Sequence, residues 1–175
     1  MGQGGAALGC GRVLTAVNAV TGEVVGFLDL SLTLYDTAKQ EFLVSEGPGL
    51  ATPSPSMERR AYVANLAVSR GARRRGVAEA LLQEAEEVAR QWADCDTLWL
   101  EVSKSNAAAV SLYRKLGYTV RLEDEGSAEV VRGAFGYSMQ VSPRLRFAKA
   151  LRPDVPATAS AELDQTDADD SGPPT

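Results

Sequence analysis

Histidine is absent from the chain. That removes imidazole bases, His-dependent triads and nearly all zinc sites. Cysteine is scarce. Cys10 and Cys95 lie far apart, which suits a reduced compartment and gives no disulfide framework. No apolar run approaches membrane-spanning length. The opening Met-Gly-Gln-Gly-Gly-Ala-Ala has no basic n-region and no apolar core, so it does not read as a secretory signal. Ala6 stands where a myristoylation site carries Ser or Thr.

Excess charge is also missing from most of the chain. The formal net charge is −5, yet the segment from Leu151 onward holds six acids and one base and accounts for all of it. The preceding 150 residues carry 17 charges of each sign. The acidic pI therefore describes a tail and says nothing about the ligands of the body. A chain of 175 residues is long enough for one domain with a sizeable core.

Periodicity orders that domain. Residues 1–11 are rich in Gly and Ala and are expected to be flexible. Residues 12–19 read as a strand, Thr21-Gly22 as a turn, and 23–34 as a second strand. In the latter, Leu28, Leu30, Leu32 and Leu34 share one face; Asp29, Ser31 and Thr33 share the other. Residues 45–56 are a loop by composition. A strand over 62–68 leads into a helix over 76–92. Its apolar stripe is Leu81, Leu82, Ala85, Val88, Ala89 and Trp92, with Glu84, Glu86, Glu87 and Arg90 toward water. A strand over 97–102 follows. A second helix over 107–116 is capped by Ser105 or Asn106 and stopped by Gly117. Then come a strand over 118–122, a polar connection over 123–133 and a last strand over 134–141. This order predicts an α/β domain over 12–150, a mixed sheet with a parallel pair inside it. From 151 to 175 the composition predicts an acidic, disordered tail.

The stretch from Val68 to Leu82 is the most informative. A strand end runs into Ser69-Arg-Gly-Ala-Arg-Arg-Arg75 and then into the helix. Backbone N–H groups at a helix start are unpaired, and the helix dipole adds partial positive charge there. Arg73, Arg74 and Arg75 add full charges. The combination suits a phosphate or pyrophosphate. A solvated basic face and a nucleic-acid signal are the competing readings of three adjacent arginines. The stretch is neither a Walker loop nor a dinucleotide fingerprint.

Two motifs in order carry a resemblance. Arg73-Arg-Arg-Gly76-Val-Ala78 resembles the acetyl-CoA motif R/Q-x-x-G-x-G/A of the GNAT superfamily of N-acetyltransferases. Asn106-Ala-Ala-Ala109-Val-Ser-Leu-Tyr113-Arg-Lys-Leu-Gly117-Tyr118 resembles the family's N-x-x-A-x-x-x-Y-x-x-x-G-[FY]. With the strand pattern the resemblance covers residues 12–141. It is nearest to bacterial ribosomal-protein alanine N-acetyltransferases and to plant and algal plastid protein N-acetyltransferases. It implies a GNAT-like mixed central sheet with helices on both faces. The family usually opens with a strand and two helices. Here about eleven residues precede the hairpin, so that segment is expected to be missing.

The resemblance also implies roles. Pyrophosphate would sit on the N–H groups of Arg74, Arg75, Gly76, Val77, Ala78 and Glu79, with Arg73 to Arg75 screening its charge. The acetyl thioester would pair with the main chain of Leu66, Ala67 and Val68, where this strand parts from the 97–102 strand. Ala64 and Ala67 are small enough to permit a bulge there, although none is legible. Asn106 would bond the pantetheine, cap its helix, or do both. Tyr113 would place its hydroxyl near the thioester sulfur; spaced with Ala109 and Leu116, it also reads as a plain core residue. A hydrogen bond to the sulfur suffices, because a phenol near ~10 protonating a thiolate near ~8.5 is uphill by about 2 kcal/mol. Glu101 is the candidate base, sharing a sheet face with Trp99; an ordinary cross-strand charge pair is its other reading. Asn65 is the alternative group to orient a water.

The function implied is acetyl transfer from acetyl-CoA, a cosubstrate, to a protein or peptide amine, with no metal. The amine is an N-terminal α-amine or a lysine. A small-molecule amine is the alternative acceptor, and a non-catalytic acyl-CoA-binding module the alternative class. RNA contact through Arg70 and Arg73 to Arg75 ranks last, because the body is neutral and has no RNA-recognition motif. Neither nucleic acid nor membrane is an expected partner. The expected location is cytoplasm or plastid, with no visible transit peptide.

Overall fold

The computed structural model describes residues 11–43, 55–93, 95–126, 128–133 and 136–152. The expected flexible N-terminus, most of the 45–56 loop and the acidic tail beyond Arg152 lie outside them. Alternation near the N-terminus makes a hairpin of β1 (Gly11–Val17) and β2 (Val24–Asp36), paired antiparallel. Its turn is tied by the Asn18 side chain, which accepts from the Val20 N–H at 2.9 Å. Then come β3 (Glu41–Leu43), β4 (Met57–Val68), one turn of 3-10 helix (Arg70–Ala72) and α1 (Val77–Arg90). β5 (Thr97–Ser103), α2 (Ala107–Lys115) and β6 (Thr119–Asp124) follow. The described chain closes with β7 (Ala128–Gly133), β8 (Gly136–Val141) and β9 (Arg144–Ala150).

The main sheet has seven strands in the order β1-β2-β4-β5-β9-β6, with β3 beside β2. β4 and β5 are its parallel neighbours, as the strand–helix–strand pattern requires. Two expectations about the strands differ from the structure. The polar connection over 123–133 contains β7, which forms a separate two-stranded sheet with β8. The strand ending at Val141 is not the last, because β9 inserts between β5 and β6. Its alternation is that of a strand, with Leu145 and Phe147 buried and Arg144 and Arg146 on the other side.

Both crossovers advance the same way across the sheet. Right-handed connections then place α1 and α2 on one face. The helices were expected on both faces; the two described here share one. The core lies beneath them. Leu28, Leu30, Ala61, Val63, Leu98, Leu100, Val102 and Phe147 from the sheet meet Leu81, Leu82, Ala85 and Val88 of α1 and Tyr113 of α2. At Gly26 α1 packs closely on the sheet: an added Cβ would lie 3.0 Å from Val77 Cγ1 and 3.2 Å from the Ala67 carbonyl oxygen.

The opposite face carries an aromatic cluster. Tyr35 stacks on Trp99 at 5.7 Å between centroids, and Phe42 packs on both Tyr35 and Tyr62. The Arg60 guanidinium lies 3.7 Å from the Tyr35 centroid and 4.5 Å from that of Trp99, and pairs with Glu58 at 2.8 Å. Stacking on two rings explains how an arginine is buried there.

Glu86 departs from the expected water-facing row. It is buried, accepts from the Tyr118 hydroxyl at 3.0 Å and from Lys149 Nζ at 2.7 Å, and lies 3.4 Å from Arg90. The stripe on α1 is broad enough to include this position, and Tyr118, just before β6, and Lys149 on β9 supply the hydrogen bonds that a buried carboxylate requires. Burial and the adjacent carboxylate push the Tyr118 phenol above its ordinary range. Removing one member strands the rest. Glu86→Ala should cost about 2–3 kcal/mol in urea unfolding, below the range of a fully sealed pair because Lys149 is partly exposed. Glu84→Ala, on the exposed side, should stay within about 0.5 kcal/mol. Equal effects would contradict this role for Glu86.

Candidate functional site

The site begins where β4 leaves β5. Their parallel pairing is confined to Ala61, Val63 and Tyr62 against Leu98, Leu100 and Trp99. Beyond Val63, β4 stays paired with β2 as far as Val68, but its other edge has no strand partner among the described residues. The expected parting of the strands is thus in place, and Leu66, Ala67 and Val68 line its open edge. A bulge accompanies it. Phe27 pairs with Ala67 and Asp29 with Ala64, so Asn65 and Leu66 oppose Leu28 alone. Asn65 adopts φ 52°, a left-handed conformation that Asn tolerates better than most residues. That tolerance was the one signal in the sequence. Rather than being free to orient a water, the Asn65 amide donates to Asp29 Oδ2 at 2.6 Å.

The chain then turns into α1. Arg73 Nε donates to the Val68 carbonyl at 3.1 Å, tying the turn to the strand end. Arg74 and Gly76 take φ values of 63° and 81°, with Arg75 between them. Such alternation brings successive N–H groups round to one concavity. No side chain caps the helix, and the first bond into it is from the Ala80 N–H to the Gly76 carbonyl. The N–H groups of Arg74, Arg75, Gly76, Val77, Ala78 and Glu79 therefore make no hydrogen bond among the described residues. Arg74 and Arg75 are exposed and, among those residues, pair with no acid. The Glu79 carboxylate would oppose an anion here, but Lys115 Nζ at the end of α2 holds it at 3.0 Å.

The remaining predicted residues approach from β5 and α2. Asn106 Oδ1 accepts from the Ala109 N–H at 3.2 Å, so it caps α2. The Tyr113 ring is buried against Tyr118 and Phe147. Its hydroxyl makes no hydrogen bond among the described residues, where no fully buried side-chain polar atom lacks a partner, so the oxygen reaches the surface. Burial raises its pKa, which keeps the phenol protonated at neutral pH. Glu101 lies one position past the last β4–β5 pair. Its oxygens take Arg144 Nη1 at 3.0 Å and Arg146 Nε at 2.8 Å. The sequence reading missed both arginines because it ended the domain's strands before β9. It also missed Tyr62. Burial raises that phenol, and the Glu101 charge raises it further. Tyr62 pairs with Trp99 in the β4–β5 ladder, and Glu101 lies two positions beyond Trp99 on β5.

Comparison with known proteins bears on the family and the fold. Residues 9–118 match the model of the acetyltransferase (GNAT) family. A chloroplastic GCN5-related N-acetyltransferase 4 of Arabidopsis thaliana is 33% identical over 101 residues, covering 56% of this chain and 32% of that protein. An N-alpha-acetyltransferase of Sulfurisphaera tokodaii is 34% identical over 64 residues, 37% of this chain and 38% of its own. The chain thus spans about a third of the length of these curated relatives. Among solved structures, Arabidopsis thaliana NAA60 in complex with a bisubstrate analogue superposes with a TM-score of 0.60 at 19% identity, over 80% of this chain and 76% of that one.

The turn makes its own prediction. An added Cβ at Gly76 would meet nothing within 4 Å, so any cost of substitution there is conformational. Gly76→Val should destabilise by about 1–2 kcal/mol in denaturant unfolding, and Gly76→Asn by clearly less. Equal effects would show that the left-handed backbone at Gly76 is not required.

Proposed function

The chain belongs to the acetyltransferase (GNAT) family, and from that premise we propose that it transfers the acetyl group of acetyl-CoA to an amine of a protein or peptide. One observation carries the reading: six backbone N–H groups without a partner among the described residues lie at the end of the same strand that has parted from its parallel neighbour. The first feature fits a pyrophosphate, and the second an extended arm ending in a thioester. Acetyl-CoA has both. The N–H groups of Arg74 through Glu79 bind the pyrophosphate, supported by the α1 dipole and by Arg74 and Arg75. The open edge of β4 at Leu66, Ala67 and Val68 holds the thioester in the parting.

The acceptor must arrive neutral. An α-amine titrates near ~8 and a lysine near ~10.4, so an N-terminal amine needs less help at neutral pH. Glu101 stands at the mouth and takes the amine proton, directly or through a water. Arg144 and Arg146 fix both its oxygens, and each oxygen keeps a further lone pair for that water. The amine nitrogen bonds to the thioester carbon, the carbon–sulfur bond breaks, and the sulfur leaves as thiolate. Tyr113, protonated and with its oxygen at the surface, donates a hydrogen bond to that sulfur. Asn106, already capping α2, keeps its amide N–H groups for the pantetheine. A protein acceptor is supported by the N-alpha-acetyltransferase among the relatives, and a plastid location by the chloroplastic one.

Calorimetric titration with acetyl-CoA tests the binding. The parent should bind, and an Arg74→Ala/Gly76→Asp double variant should lose at least about tenfold in affinity, the scale of one lost charge-assisted contact. Turnover with peptides bearing a free α-amine tests the chemistry. Glu101→Gln and Tyr113→Phe should each lower kcat by about 10²-fold while leaving acetyl-CoA affinity nearly unchanged. A folded parent that binds no acetyl-CoA would end the reading. Full activity in both variants would remove Glu101 and Tyr113 from it.

A further inference from the structure

We propose that Asp29, on β2, is a positioning residue that holds β4 in the bulged form needed to receive the thioester. The inference rests on the function proposed above, although Asp29 lies on the far side of β4 from the parting and touches no substrate.

Ala61 and Val63 face the core, and plain alternation would send Asn65 inward next and Leu66 outward. The extra residue in β4 reverses that. Asn65 is exposed, and Leu66 packs against the core cluster. A one-residue slip exchanges the faces of everything that follows, so Leu66, Ala67 and Val68 present their edge to the parting only while the bulge persists. The bulge also sits immediately after the last β4–β5 pair, at Val63. Its cost is the left-handed backbone at Asn65, which L-residues adopt less readily than a strand conformation.

Asp29 offsets that cost. It is the β2 residue next to the slip, pairing with Ala64. Its Oδ2 accepts from Asn65 Nδ2 at 2.6 Å, a charge-assisted bond available only while Asn65 is turned outward. Asp29 forms no ion pair among the described residues, and its β1 neighbour in register is the exposed Val13. The carboxylate is therefore committed to Asn65. A mainly structural acid would affect stability wherever it stood. A clamp on the bulge should affect the thioester half of the site and spare the pyrophosphate half.

The experiment uses the full chain and four variants: Asp29→Ala, Asp29→Asn, Asn65→Gly and Asp29→Ala/Asn65→Gly. Glycine takes positive φ without a clamp, so it should remove the need for Asp29. Affinity is measured for acetyl-CoA and for the nucleotide diphosphate half of CoA, which has no pantetheine arm. Amide exchange over residues 64–68 is followed without ligand, and melting is recorded for each variant. Asp29→Ala should weaken acetyl-CoA binding about tenfold and leave the nucleotide half within about twofold. Its 64–68 amides should exchange faster than the parent's. Asp29→Asn, which keeps an acceptor oxygen, should retain most of the affinity, and the double variant should match Asn65→Gly. The proposal is overturned if Asp29→Ala binds acetyl-CoA like the parent, if both ligands weaken equally, or if the double variant is as weak as Asp29→Ala. Should the parent bind no acetyl-CoA, the function proposed above falls, and the exchange rates alone decide the clamp: faster exchange supports it and unchanged exchange overturns it.

Discussion

Strand β4 is held along one edge and released along the other, and the site depends on that asymmetry. Its ladder with β2 continues from Met57 to Val68, so the strand cannot simply fray. Its ladder with β5 stops at Val63. Backbone groups that a sheet normally satisfies are left facing an opening, at a cost unless water or a ligand meets them. The core makes the arrangement tolerable. Leu28, Leu30, Ala61 and Val63 are sealed beneath α1, and Gly26 lets that helix approach closely enough to keep β2 and β4 together past the parting. A bulge at Asn65 adjusts the phase so that the released segment still buries Leu66.

Charge is placed to match. The turn after β4 collects backbone N–H groups, a helix dipole and two arginines that pair with no acid among the described residues, while Lys115 pairs with the nearby Glu79. On the other face, Glu101 is fixed by two arginines from β9 instead of standing alone. Two acids, one buried and one half-buried, thus illustrate different uses of the same chemistry. Glu86 joins α1 to Tyr118 and to β9 within the core, and Glu101 lies one position past the last β4–β5 pair with both oxygens held by arginines.

Much of this was legible in the letters because it obeys local rules. The alternation of Leu28 and Leu30, the stripe on α1, the Asn106 cap and the Gly117 stop each follow from a single periodicity or cap preference. So does the run from Arg73 to Ala78, whose glycine takes the left-handed turn. What escaped depends on partners distant in sequence. Glu86 reads as a surface residue until Tyr118 and Lys149 are seen beside it. For Glu101 a cross-strand charge pair is one of two readings, and its arginine partners are identified only once β9 is placed next to β5. The bulge is a register event between β2 and β4, and a lone Asn65 carries only a hint of it. β7 was hidden by its charged and glycine-rich surroundings, since the strand pairs only with β8 outside the main sheet.

Amide hydrogen exchange with and without saturating acetyl-CoA is the most direct test of the central claim. The account predicts new protection at two places together: the N–H groups of residues 74–79 and the β4 segment 64–68. The aromatic face around Tyr35 and Trp99 should be unchanged. Protection confined to that face, or absent from both predicted segments while acetyl-CoA is bound, would contradict it.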